Sequence, residues 1–401
     1  MIDLFWPGDD LAGDLMSDGA FLSAMVAVEQ AWLDGLVDAG IAPRQARADL
    51  TILLADGDAA TIARRAGTDG NPVSALVLML RERSAEPTAR WLHRGLTSQD
   101  VVDTALMLCT RDVLIRIGDE FAIQVRALTE LAETHRDTSA LARTLTQAAL
   151  PSTLGAKFAR WLTGVLDAAE PIAGLIASLP VQVGGAVGSL AAATELAGSV
   201  EGAIALSDGL AATLRLAPTP PWHTTRWQVT RIGDALVSCC DAWGHIATDV
   251  TTGCRPEIGE LAEGHGGGSS TLPHKNNPVR SVLIRRAALT AGPLGSILHT
   301  AAGATVDERS DGAWHTEWAT LRTLARHTVV AAAHTSDLLS GLRVDPPRAA
   351  ANLAAAESLL SEQRSMTELT GRAALPGYTG AADRLIDSTL GRACRFVKDA
   401  P

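Results

Sequence analysis

The sequence predicts an all-α protein built on a bundle of long helices, and two observations carry that expectation. Hydrophobic residues fill 47% of the 401 positions, yet the chain has one tyrosine and five phenylalanines, the balance of an aliphatic helical interior rather than an aromatic-rich sheet. Apolar residues also recur three or four positions apart over stretches much longer than a strand.

The first such stretch runs from 105 to 135. It sets Leu106, Val113, Leu114, Ile117, Phe121, Val125, Leu128 and Leu131 on one face, with Asp112, Arg116, Asp119 and Arg126 between them. The same period marks 155–177, 228–252, 279–301 and a stretch from about 318 to 339. Helices of about 20 residues exceed the usual length, so several in one chain imply helices lying side by side. Small-residue runs such as GSLAAATELAG and TVVAAAHTSDLL let helices approach closely or bury a second face against another copy, so an oligomer is expected. Before residue 104 the helical patterns are shorter, broken by Pro43, Gly57, Gly67, Gly70 and Pro72. After Leu342, RVDPPRAAANLAAAESLL reads as a boundary, with Asp345 as an N-cap and two prolines pre-set for a first helical turn. Three helical segments result: 1–104, 105–341 and 342–401.

Charge and cysteines narrow the function classes. A net charge of −11 argues against nucleic acid as a partner. Five cysteines with no C-x-x-C pair argue against a disulfide framework and for a reduced, cytoplasmic setting. The opening MIDLFWPGDDLAGDLM carries aspartates where a signal peptide places lysine or arginine, and no membrane-spanning run is expected. Nor do the cysteines show an ordered metal spacing.

Three polar clusters stand out. GHGGGSSTLPHKNNPVR, residues 264–280, packs glycines, two serines, two histidines, a lysine and two asparagines together, which predicts a mobile or tightly turned loop. It lacks the Gly-x-x-x-x-Gly-Lys-Ser/Thr order of a phosphate loop. HRGLTSQDVVDTALML, residues 93–108, gathers His93, Thr97, Ser98, Gln99 and Asp100 ahead of the first long helix, where Thr97 or Ser98 can serve as the cap. RTLTQAALPSTLG, residues 143–155, holds Thr144 and Gln147. Taken singly, these also read as a linker, a helix cap and a connector.

Together the clusters resemble, in order and spacing, the three signature regions of the fumarase/aspartase superfamily. GGSSTLPHKNNP is similar to its Gly-Ser-Ser-x-Met-Pro-x-Lys-x-Asn-Pro loop, with Leu272 in place of methionine. DLFWPGDDLAGDLMSD, WLHRGLTSQDVVDTALML, RPEIGEL and VDERSDGAWHTEWATLRTL resemble bacterial 3-carboxy-cis,cis-muconate cycloisomerases. The resemblance implies a small N-terminal helical domain, a central long-helix bundle with the glycine-rich catalytic loop 264–278, and a C-terminal helical domain, here short. It implies a cytoplasmic homotetramer whose active sites each draw on three subunits, with a tricarboxylate substrate and no cofactor, in protocatechuate degradation.

The chemistry it implies is proton transfer at a carbon next to a carboxylate, through a carbanion delocalised into an aci-form dianion that demands cations and hydrogen-bond donors. Ser269 matches the residue that exchanges the proton, and Lys275 the cation. His93 stands at the histidine ahead of the TSxD motif. Thr97, Ser98, Gln99, Thr144, Gln147, Ser270 and Asn277 are expected to hold substrate. The implied reaction is lactonisation of 3-carboxy-cis,cis-muconate; the alternatives are an elimination lyase acting on a succinyl-type or nitro-substituted substrate, or a catalytically silent helical tetramer. Two positions depart from the pattern. Leu145 replaces the histidine of a Thr-His pair that protonates nitrogen leaving groups, and Ala148 stands where many cycloisomerases carry a histidine. A carboxylate leaving group needs no such proton. Arg255 and Glu257 are expected to position the loop through an ion pair, and His315 to pack beside Trp314 and Trp318.

Overall fold

The computed structural model describes residues 3–268, 272, 276–356 and 358–399. The protein is all-α, with 66% of the chain helical. In chain order α1 is Asp18–Asp38, α2 Asp58–Asp69, α3 Val73–Arg83, α4 Thr88–Trp91 and α5 Ser98–Thr134. A hairpin of β1 (Ser139–Thr144) and β2 (Gln147–Thr153) precedes α6 (Leu154–Ala177), α7 (Ala191–Ala197), α8 (Val200–Leu214) and α9 (Trp227–Gly253). Then come β3 (Leu261–Ala262), α10 (Val279–Gly303), α11 (Gly312–Ser340), β4 (Arg343–Val344), α12 (Pro346–Ala354), α13 (Ser361–Thr370) and α14 (Ala382–Asp399). The five long periodic stretches are thus α5, α6, α9, α10 and α11.

The chain forms two compact units. The first comprises residues up to 116, 173–234 and 293–327; the second comprises 117–172, 235–292 and the chain from 328 onward. Each long helix gives one part to each unit, and two of them change unit at or beside an internal proline, Pro171 in α6 and Pro293 in α10. A proline there deletes one ladder hydrogen bond and locally weakens the helix.

In the first unit, Trp32, Leu33 and Leu36 of α1, Leu76 and Leu80 of α3, Leu92, and Val101, Val102 and Ala105 of α5 are buried. Each large apolar side chain removed from water contributes roughly 1.5–3 kcal/mol. α1 is long and apolar enough to span a membrane by length and composition, against expectation, yet 61% of that window is buried inside the protein, as in a core helix. In the second unit, Phe121 and Trp243 pack with ring centroids 5.3 Å apart, and the indole of Trp243 donates to Gln124 Oε1 at 2.8 Å. Gln124 in turn donates to the carbonyl of Ala332 at 3.1 Å, so one buried amide ties α5, α9 and α11 together. Gly244 of α9 lies against Ala288 of α10 with no room for a side chain, the close approach that small residues permit. Cys239 and Cys240 are buried in α9, where burial pushes the Cys240 thiol up to about 12 and makes it a poor nucleophile. In α12, Asp345 caps the helix as expected, accepting from the Arg348 backbone N–H at 2.9 Å.

Candidate active site

The first cluster lies in the first unit, where α5 begins. The Thr97 backbone N–H donates to Asp100 Oδ2 at 2.9 Å, the carboxylate half of a capping box. Asp100 is fully buried and accepts three further bonds, from the N–H groups of Gly184 and Gly185 at 2.9 and 3.0 Å and from His223 Nε2 at 2.9 Å. Four donors offset the cost of burying a carboxylate, and they anchor the start of α5 to the 184–185 turn and to His223. One turn later, Asp103 takes both Nη atoms of Arg226 at 2.7 and 3.0 Å and the indole N–H of Trp314 at 2.9 Å. Arg226 also clamps Glu317 at 2.6 Å. Burial works to lower the Arg226 pKa, but Asp103 and Glu317 outweigh it and hold the guanidinium above its ordinary value; burial leaves Glu317 above its own.

This scaffold leaves His93, Thr97 and Ser98 half-buried on its outer side. Gln99, expected to bind substrate, is fully buried, its amide donating to the His223 carbonyl at 2.9 Å and to Asp103 at 3.2 Å. Sequence reasoning passed over Arg309. Its guanidinium donates to Thr97 Oγ1 at 2.8 Å and stacks 5.7 Å from the Trp314 ring centroid, placing a cation within the cluster. The signal was available, since Arg309 lies inside the VDERSDGAWHTEW run and a carbanion site needs cations. His315 packs as expected, bonded to the Asp311 and Gly70 carbonyls and edge-on to Trp314.

The second cluster lies in the second unit and is a hairpin rather than a plain connector. Thr144 pairs with Gln147 across a two-residue turn in which Leu145 and Thr146 have φ of +48° and +72°, the left-handed pair of a type I′ turn. Neither residue type favours that region, so the tip is strained. Leu145 is 96% exposed there, flanked by the exposed Thr144 and Gln147. Arg143 anchors the hairpin with a two-pronged grip on Glu260 at 2.8 and 3.3 Å, and Asn352 of α12 donates to the same carboxylate at 2.8 Å. The expected Arg255 to Glu257 ion pair does not form. The RPEIGEL turn is held instead by Glu260 and by Arg348, whose guanidinium donates to the carbonyls of Pro256, Glu257 and Ile258.

The third cluster, also in the second unit, is pinned at its base. Glu263 accepts from the backbone N–H groups of Arg280 and Ser281 at 3.1 and 2.8 Å and from the Ser281 hydroxyl at 2.7 Å, an anionic cap on α10. Gly267 and Asn277 exchange two backbone hydrogen bonds of 2.9 Å, closing the loop and leaving the Asn277 side chain outside that pairing. Ser269, Ser270 and Lys275 lie outside the described residues. The glycines act by packing: a Cβ on Gly264 would meet the Gly341 carbonyl, on Gly266 the Asn276 amide and on Gly267 the Val279 side chain. For Gly268, none of the described residues lies within 4 Å of where a Cβ would sit. Among the described residues no group of three His, Cys, Asp or Glu is placed to hold a metal ion.

A family described as Lyase matches residues 44–291, more than half of the chain. The chain belongs to this lyase family, that of the fumarases and aspartases. The lyase chain is 40% identical over 367 residues to the nitrosuccinate lyase of Streptomyces davaonensis, covering 88% of this chain and 77% of that one. It is 35% identical over 355 residues to the 3-carboxy-cis,cis-muconate cycloisomerase of Pseudomonas aeruginosa, covering 86% and 76%. The crystal structure of the 3-carboxy-cis,cis-muconate lactonizing enzyme from Pseudomonas putida is similar with a TM-score of 0.85 at 28% identity, over 96% of this chain and 97% of that one. In the lyase at hand, the first cluster offers hydroxyls backed by a guanidinium, a surface suited to a carboxylate that takes up charge.

Proposed function

We propose that the enzyme is an elimination lyase whose leaving group departs as a stable oxyanion, with a nitro-substituted succinate as its substrate. The observation that carries this reading is Leu145: an aliphatic side chain stands at the tip of the second cluster, where a proton donor to a departing amine would be needed. Nitrite, the anion of an acid that is fully ionised at neutral pH, leaves without being protonated. The 40% identity to a nitrosuccinate lyase supports the same reading, and Ala148 counts against lactonisation.

The step begins when Ser269, as its alkoxide, takes the proton from the carbon beside a carboxylate. The electron pair moves into that carboxylate as an aci-form dianion, held by Lys275 and Asn277 and by Thr97, Ser98 and Arg309. It then returns to form the carbon–carbon double bond while the carbon–nitrogen bond breaks and nitrite departs with its bonding pair. The products are fumarate, nitrite and a proton on Ser269 to be returned to water. Thr144, Gln147 and Ser270 line the substrate. Homotetramers supply the three clusters from different copies, which accounts for Thr144 and Gln147 lying exposed on a single chain. The work is cytoplasmic and uses no cofactor. Lactonisation of 3-carboxymuconate is the second reading, favoured by the TM-score of 0.85; there a substrate carboxylate takes the place of nitrite.

A leaving-group series tests the proposal. Succinates carrying a nitro or an amino group at the same carbon, and 3-carboxymuconate, are given to the purified enzyme. Nitrite and fumarate should form in equal amounts from the first and nothing from the second. Loss of the muconate diene with no nitrite release establishes the second reading, and turnover of the amino compound overturns both.

A further inference from the structure

Three consecutive residues at the entrance to the first cluster, 92 to 94, are held from neighbouring helices of the first unit. Arg81 of α3 donates to the Leu92 carbonyl at 2.7 Å, and the Trp32 indole of α1 donates to the Arg94 carbonyl at 2.7 Å. Between them the His93 ring meets Glu29 of α1, with Nδ1 2.6 Å from Oε1. Glu29 and Trp32 are three residues apart on one face of α1, so a single helix grips both His93 and the carbonyl that follows it. The grip is tight: His93 has φ of +60°, Gly95 has φ of +92°, and a Cβ on Gly95 would sit 3.3 Å from Trp32. Backbone strain at a polar cluster persists only where the surroundings impose it.

Glu29 is the unexpected member. It is 1% exposed in the middle of an apolar helix, and among the described residues its Oε2 has no hydrogen-bond partner. Burying a carboxylate that contacts one imidazole is a poor way to stabilise a fold, since an apolar residue of similar size would pack there without the desolvation cost. A histidine whose Nδ1 faces a carboxylate is a different matter. The carboxylate accepts from Nδ1–H, which selects the tautomer with a bare Nε2 and fixes the ring plane. The His93 side chain keeps 17% of its surface exposed, whereas the Glu29 side chain has none. Two other charged groups bear on the pair. Burial lowers the Arg81 pKa, Arg94 lowers it further and Glu29 pulls it back, so the Glu29 charge extends to the guanidinium that holds Leu92.

We propose that Glu29 is the positioning residue for His93, fixing its Nδ1–H tautomer and its ring orientation so that Nε2 is presented to the substrate as a hydrogen-bond acceptor. This rests on the reading that His93 belongs to the active site. It adds a residue from α1, outside all three polar clusters.

The full-length protein labelled with 15N-histidine gives the test, the His93 signals being assigned by their loss in His93→Gln. At a pH where the ring is neutral, the wild type should show a protonated Nδ1 and a bare Nε2, the opposite of the form that predominates for free histidine. In Glu29→Ala the Nε2–H form should appear and kcat should fall about tenfold with KM within about twofold. Glu29→Gln keeps the volume and an acceptor oxygen; it should restore the Nδ1–H form and part of kcat, and it carries the test if the alanine variant fails to fold. A bare Nδ1 in the wild type overturns the proposal at once. So does an alanine variant that keeps the Nδ1–H form with kcat within twofold of wild type. Normal turnover in His93→Gln instead removes His93 from the active site, while the tautomer still reports whether Glu29 holds the ring.

Discussion

Gly264, Gly266 and Gly267 look alike in sequence to Gly268 but differ from it in kind. The first three have a carbonyl, an amide or a valine pressed against the missing Cβ, whereas Gly268 meets none of the described residues there. Replacing Gly264 with alanine forces the Gly341 carbonyl to move and should destabilise the protein by roughly 1–3 kcal/mol, as overpacking does. Gly268→Ala should stay within about 0.5 kcal/mol of wild type. Denaturation midpoints of the two variants check this, and equal midpoints would remove the packing account of the loop base. The motif was legible in the sequence because its polar residues keep a fixed register. The reason for the glycines was not, because Gly341, Asn276 and Val279 become neighbours only after folding. Arg309 stood in a run already singled out, but its contact with Thr97 arises only on folding.

Among the elements, helices were the most legible. Period 3.6 placed α6, α9 and α10 within a few residues of both ends and α5 at its C-terminal end, since a long apolar stripe has one way to be buried; it set the start of α5 too late, at 105 rather than Ser98. The start of α11 was set too late because GAWHTE is polar on the side that begins the helix. The hairpin was invisible. RTLTQAALPSTLG has neither the alternation of a strand nor the Asn-Gly of a two-residue turn, and its tip adopts φ above zero with leucine and threonine. That mismatch yields a prediction. Changing Leu145 to Asn and Thr146 to Gly should relieve the turn and stabilise the protein by about 1–2 kcal/mol, read as a higher melting temperature. No gain in melting temperature would show that the tip is not strained. If the tip meets substrate or another copy, turnover should fall in the same variant although stability rises.

At the scale of the whole molecule, the first cluster belongs to one compact unit and the other two to the second. The second cluster carries its polar side chains exposed on a strained tip, and the first carries hydroxyls and a cation on a rigid buried scaffold. Both arrangements suit a site completed by association of copies. The most direct test is complementation between two inactive variants, Thr97→Ala with Ser98→Ala in one and Ser269→Ala in the other. The two proteins are mixed, dissociated and reassembled, then assayed on whichever substrate the wild type converts. If each site takes its first and third clusters from different copies, random assembly leaves about a quarter of the sites intact, and the mixture should recover about that fraction of wild-type activity. A mixture that forms hybrid assemblies yet stays as inactive as its parents would contradict the account.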